Sequence, residues 1–273
     1  MTANELEIAA ITDPGVTRDN NEDSIAQTPE LGLVVLADGM GGHQAGEVAS
    51  GLAVDIISRH IANVVNGDAH QDFVTDSGSL ENNSIDAAIR LANATIFETA
   101  QARVECAGMG STVVVAMLHD NKISFGHVGD SRLYRMRGDK LEQITEDHSV
   151  VQELLSRGLI TPEEAHTAYN KNLVTKALGV EATVEPDVNE LEFEANDLYL
   201  LCSDGLSDVL KDDTIAELLG DGKDDLDYAV KRMVNVVNEN GGPDNISIIL
   251  LRPHANFSRS DERNSSGNGF QHE

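Results

Sequence analysis

The sequence predicts an α+β fold, on two observations. Three segments with strand character follow one another closely, Thr112–Leu118, Lys122–Val128 and Arg132–Arg137, joined only by the short links His119–Asn121 and Gly129–Ser131, as in a meander. The helical segments lie apart from this group, at Gly46–Ile61, Ile85–Arg103 and Asp225–Asn238. Strands grouped away from helices favour α+β packing over a doubly wound parallel sheet, which needs regular alternation of the two.

Taken in order, Leu6–Thr12 mixes alternation with a short apolar run and reads as a strand. Gly32–Ala37 (GLVVLA) is a buried strand ended by a turn at Asp38–Gly39. Val48, Leu52, Ile56 and Ile57 recur near helical spacing in Gly46–Ile61. Asn63–Ser84 is rich in Asn, Asp, Gly and Ser and reads as a loop or poorly ordered insertion. After the strand group, Ser149–Arg157 is a short helix closed by Gly158, and Thr161-Pro-Glu-Glu164 carries a capping box with Pro at the first helical position. Asp197–Cys202 is a strand followed by Ser203–Asp204–Gly205, Asp225–Asn238 is an amphipathic helix, and Asn245–Leu251 is the last strand. From Pro253 the chain is polar and predicts disorder.

A chain of 273 residues suits one large domain or two small ones, and its 40% hydrophobic and 24% charged residues are ordinary for a globular protein. The formal net charge of −28 sets aside nucleic acid and anionic membrane as partners, because such a surface repels phosphates. It leaves two readings of the acid excess: a solubilising surface for most of the residues, and hard-cation ligation for a subset. Cys106 and Cys202 are far apart, with no Cys/His cluster, and read as buried thiols in a reducing compartment. Met1 is followed by TANELE, neither basic nor apolar, so no signal peptide is expected, and apolar stretches such as Val113–Leu118 are too short to span a bilayer. A cytoplasmic protein is expected.

The carboxylates at strand ends carry the chemistry. Asp38, Asp130 and Asp204 each follow a predicted strand, and Asp244 precedes the last one. A single Asp–Gly is most often a plain turn. Several carboxylates gathered at one sheet edge would repel one another unless cations neutralise them, and two or more Mg²⁺ or Mn²⁺ ions would do so.

Five strings occur in order: Arg18-Asp-Asn-Asn-Glu-Asp23, Asp38-Gly-Met-Gly-Gly42, Gly129-Asp-Ser-Arg132, Ser203-Asp-Gly205 and Gly241-Gly-Pro-Asp-Asn-Ile246. Together, over about Leu6 to Leu251, they resemble the type 2C metal-dependent serine/threonine protein phosphatases in their short bacterial form. The resemblance implies an α-β-β-α sandwich, two packed antiparallel sheets flanked by helices, with metals in a cleft at one edge. It implies one catalytic domain over residues 1–252, with a mobile flap at about 147–172 and a polar insertion at about 63–84, then a disordered tail at 253–273. Two or three Mn²⁺ or Mg²⁺ ions are implied. Asp38 would bridge two of them, the Gly39 carbonyl would bind one, and Asp204 and Asp244 would complete the set. Asp130 with Asp204 matches a third, weaker position, while Glu22 and Asp23 would hold metal-bound water or support the site. Arg18 matches the phosphate-binding arginine.

The implied reaction is direct attack on phosphorus by a hydroxide bridging two cations, with Arg18 orienting the phosphoryl oxygens in bidentate fashion. The acid that protonates the leaving oxygen is open: eukaryotic relatives carry His directly after the first Asp–Gly, where this chain has Met40, which leaves His43 or a metal-bound water. In the flap the His-Pro-x-Arg-Asn pattern of relatives is replaced by Ala168-Tyr-Asn-Lys-Asn172, with His166 displaced by two, which puts substrate choice in question. The implied substrates are phosphorylated proteins, including a Ser/Thr kinase and its targets, and a monomer is expected. Two alternatives stand beside this one. A phospho-dependent adaptor with the same fold would lack ligands, and Arg18, Asp38, Asp204 and Asp244 are all present. Another two-metal phosphohydrolase such as a nuclease is disfavoured by the charge.

Overall fold

The structure, a computed structural model, describes residues 6–42, 44–67, 78–161, 164–165 and 173–254. Its strands are β1 (Leu6–Asp13), β2 (Asp23–Thr28), β3 (Leu33–Met40), β4 (Gly110–Ser111), β5 (Val113–His119), β6 (Lys122–Val128), β7 (Arg132–Arg137), β8 (Lys140–Gln143), β9 (Asp187–Glu192), β10 (Leu198–Cys202) and β11 (Ile246–Pro253). They form two antiparallel sheets, one ordered β1-β11-β10-β7-β8 and the other β2-β3-β5-β6-β9 with β4 added to β3. Helices α1 (Ala45–Asn66) and α2 (Leu80–Ala102) cover the second sheet, while α3 (Val150–Ser156) lies in the segment expected to be a flap. The short α4 (Asp204–Ser207) follows β10, and α5 (Asp212–Asp221) and α6 (Leu226–Glu239) cover the first sheet.

Strand periodicity explains why the central strands read as unbroken apolar runs. In β3, Val34 and Leu36 pack between the sheets with Val114, Phe125, Tyr199, Leu201 and Ile249, while Leu33 and Val35 pack outward against Ile57, Ile61, Ile85 and Ile89 of α1 and α2. In the first sheet Leu200, Cys202, Ile248 and Leu250 face Ile215, Leu219, Met233 and Val237 of α5 and α6. A strand buried on both faces has no position left for a polar residue. Helix α1 is long and apolar enough to cross a membrane by length and composition. Here its stripe Ala49, Ala53, Ile57 and Ile61 is part of the core.

The α+β sandwich is as expected, with four corrections of detail. The strand group is not a meander: β5 and β6 pair, but β7 pairs with β10 and β8 in the other sheet. Gly129, at φ +107, starts the link that carries the chain across the sandwich. The polar segment 63–84 is shorter than its composition suggests, since α1 runs to Asn66 and α2 starts at Leu80, capped by the Ser79 hydroxyl on the Asn82 amide. No turn follows Ala37, because β3 continues through Asp38 and Gly39 to Met40. The half-exposed strands β2, β8 and β9 and helix α5 were not anticipated, for polar and charged residues break up their apolar positions and leave no apolar run. The predicted capping box is present, with Thr161 Oγ1 accepting from the Glu164 amide and Glu164 Oε2 from the Thr161 amide. The tail beyond His254 and the divergent flap residues 166–172 lie outside the described residues.

Candidate metal centre

Register brings the first two carboxylates together. Asp23 opens β2 and stands directly opposite Asp38 on β3, a like-charge pairing that is unfavourable without a cation. Asp204 is the first residue of α4, just past β10, and Asp244 lies two residues before β11, next to β10 in the same sheet. Asp130 sits on the link that crosses from one sheet to the other. Strand ends of both sheets therefore supply acidic groups to one edge of the sandwich.

These groups repel one another electrostatically. Asp38 is pushed well above the ordinary carboxylate range, first by loss of hydration and then by the charges of Asp23, Asp204, Asp130 and Asp244. Asp204 is raised in the same way, by burial and by Asp130, Asp208, Asp244 and Asp23. Asp23 is pushed up to about 6 by burial and by Asp244, against hydrogen bonds from Ser247 and Ser203 that lower it. Asp130 is pushed up to about 6 by burial and by Asp147 and Asp208, with Arg132 opposing. Asp23 and Asp130 are only 7% and 8% exposed, so water does little to screen them.

The donor set suits hard divalent cations. Asp23 Oδ1 and Asp204 Oδ1 are buried and have no hydrogen-bond partner. Buried carboxylate oxygens without partners, among mutually repelling acids, are the environment an Mg²⁺ or Mn²⁺ ion completes, and the donors are all oxygen.

The surrounding residues hold this edge in place. The Asn245 side chain accepts from the Glu22 amide at 2.8 Å and donates to the carbonyls of Pro14 and Asn20, tying the 14–22 loop to the start of β11. Ser203 donates to Asp23 Oδ2 at 2.9 Å and accepts from the Ser247 amide, joining β2 to β10 and β11. The Glu22 carbonyl accepts from the Gly39 amide and the Ser50 hydroxyl, and the Glu22 carboxylate lies against Gly46. Arg18 donates to Asp244 Oδ2 at 2.7 Å and is about half exposed at the rim.

The glycines serve close approach, not turning. A Cβ on Gly39 would run into the carbonyls of Gly46 and Glu22, and one on Gly205 into the carbonyl of Asn245. Gly39→Ala is expected to displace Glu22 from β3 and cost roughly 1–3 kcal/mol of stability, as overpacking does. Thermal denaturation of the variant checks this.

The structure thus gathers Asp23, Asp38, Asp130, Asp204 and Asp244, with Glu22, Gly39 and Arg18 beside them, while His43 lies outside the described residues. Sequence reasoning missed Asp208, which acts on both Asp130 and Asp204; its signal was the Asp204/Asp208 spacing of one helical turn. It also missed the Arg132–Asp147 pair, bidentate at 2.9 and 2.7 Å. Both line a cleft of about 570 Å³ that runs from Asp130 and Asp204 past Gln152 and Lys211.

An edge of buried, mutually repelling carboxylates on a two-sheet sandwich is an environment suited to divalent cations. The protein phosphatase 2C family model matches residues 16–250, and the chain belongs to that family. It is 40% identical over 246 residues to the serine/threonine protein phosphatase PstP of Mycobacterium tuberculosis, covering 90% of this chain but 44% of that protein. It is 36% identical to the serine/threonine phosphatase stp of Listeria innocua, covering 88% and 93%. A crystal structure of the M. tuberculosis PstP/Ppp phosphatase superposes with a TM-score of 0.80 at 37% identity, covering 91% of this chain and 99% of that one. The PstP catalytic domain in complex with two manganese ions superposes with a TM-score of 0.76 at 38% identity, covering 90% and 97%.

Proposed function

We propose that this chain is a metal-dependent protein-serine/threonine phosphatase that hydrolyses phosphoserine and phosphothreonine on proteins. The observation that carries this reading is the convergence of Asp38, Asp204, Asp244, Asp130 and Asp23 on one sandwich edge, with two partnerless buried oxygens among them. In this reading Asp38, the Gly39 carbonyl, Asp204 and Asp244 would hold two cations, Asp130 with Asp204 would hold a third, and Glu22 and Asp23 would act through water. Bound Mn²⁺ or Mg²⁺ supplies Lewis acidity toward the phosphoryl oxygens and eases ionisation of water near neutral pH.

The chain's own residues orient the substrate. Arg18, hydrogen-bonded to Asp244 at the rim, presents a planar fork suited to two phosphoryl oxygens. Among the described residues both cysteines are buried, and burial pushes the Cys202 thiol up to about 12, so neither is poised as a nucleophile. That supports direct attack by water without a phosphoenzyme. His43 or a water protonates the leaving oxygen. The substrates are phosphoproteins, including a Ser/Thr kinase and its targets, and the enzyme works as a cytoplasmic monomer.

Phosphate release from phosphothreonine, phosphoserine and phosphotyrosine peptides, measured with Mn²⁺ present, tests the substrate class. Release from the first two is expected to dominate. Tight binding of the phosphothreonine peptide without release would instead favour a phospho-dependent adaptor.

A further inference from the structure

Outside the carboxylate centre, two imidazoles form a pair. His127 near the end of β6 and His148 at the start of the flap segment stack at 4.6 Å with 13° between their planes, next to Asp187 on β9. Their ligand-type atoms, with a carboxylate oxygen of Asp187, lie within 4.8 Å of one another. The hydrogen bonds argue against a metal here. The Gly129 amide donates to His148 Nδ1 at 3.1 Å, so Nδ1 carries a lone pair and the neutral ring keeps its proton on Nε2, 3.3 Å from Asp187 Oδ2. Ligation through Nε2 would need that proton on Nδ1, facing an N–H. Burial favours this neutral form in both rings, and His127 Nε2 donates to the Glu146 carbonyl at 2.9 Å, fixing the ring beneath its partner.

What this arrangement does is grip Gly129 from both sides. The His148 amide donates to the Gly129 carbonyl at 2.9 Å while the His148 ring accepts from the Gly129 amide. Gly129 is held at φ +107 against Thr112, and the next residue is Asp130. His148 also accepts from the Thr175 amide at 2.8 Å, beside the bridge from Ser149 to Val174 that ties the two ends of the flap segment.

We infer that His148 is a positioning residue: by clamping Gly129 it fixes the Asp130 carboxylate in the metal centre and ties the root of the flap to it. This rests on the proposed reading of Asp130 as a metal ligand.

Asparagine and glutamine separate this role from simple packing. Asn places an acceptor where Nδ1 stands, whereas Gln places its amide near Nε2 and leaves the Gly129 amide without an acceptor. His148→Asn and His148→Gln are compared with the wild type and with Asp130→Asn by amide exchange of the metal-free protein and by calorimetric titration with Mn²⁺ alone. In His148→Gln the Gly129 amide is expected to lose protection, and the weakest class of Mn²⁺ site to weaken about tenfold, as loss of outer-shell support does. His148→Asn is expected to retain both. Equal Mn²⁺ binding by the two His148 variants and the wild type, with the weak site lost in Asp130→Asn, overturns the role of His148. An unchanged isotherm in Asp130→Asn overturns the reading of Asp130, and the inference with it.

Discussion

Asp38→Asn is expected to lower metal-dependent phosphate release by at least about 10²–10³-fold, the scale on which loss of one group supporting developing charge acts. Asp38 feels the charges of Asp23, Asp204, Asp130 and Asp244. An amide there would not balance the charge of bound cations. The same substitution is expected to raise the melting temperature of the chelator-stripped protein, because it removes one of several mutually repelling buried charges. Opposite signs for activity and metal-free stability distinguish a functional carboxylate from a structural one. Steady-state kinetics and thermal denaturation of the variant check both halves.

The second large effect is the pH dependence of stability without metal. Asp23 and Asp130 have folded-state values near 6, above the ordinary carboxylate value they take when unfolded. Between those values the folded protein binds more protons than the unfolded chain, so stability falls as pH rises through the window and is recovered on acidification. From pH 7.5 to about 5.5 each of the two is expected to restore roughly 1 kcal/mol, with Asp38 and Asp204 acting in the same direction. With saturating Mn²⁺ the slope is expected to reverse, because protons then compete with the cation for the same oxygens. Denaturant unfolding at the two pH values, with and without Mn²⁺, reads both slopes. A metal-free protein that loses stability on acidification in this window contradicts the mutual repulsion of these carboxylates.

Much of this was legible in the sequence for a physical reason. Strands buried on both faces must be unbroken apolar runs, so β3, β5, β10 and β11 announced themselves, and Asp38, Asp204 and Asp244 near the ends of β3, β10 and β11 marked the edge. Strands β2 and β9 carry Asp-Ser-Ile-Ala-Gln-Thr and Asp-Val-Asn-Glu-Leu-Glu on half-exposed edges, where a mainly polar composition looks like loop. The crossing at Gly129–Ser131 was hidden because a three-residue link reads as a hairpin whichever sheet the chain enters next. Asp–Gly read as a turn at position 38 for a like reason: a sequence does not reveal that Gly39 is small because the Gly46 and Glu22 carbonyls press on it. Asn245, Ser203 and Arg132 act through partners distant in the chain, such as Glu22, Asp23 and Asp147, and no local pattern could have paired them.

The most direct test of the central claim couples metal binding to turnover in one sample. Chelator-stripped protein is titrated with Mn²⁺ by calorimetry, and phosphate release from a phosphothreonine peptide is measured at each point. The account predicts that at least two equivalents bind, that release is absent from the stripped protein, and that it appears only as the second equivalent fills. Release undiminished in the stripped protein, or two bound equivalents with no release, would contradict it.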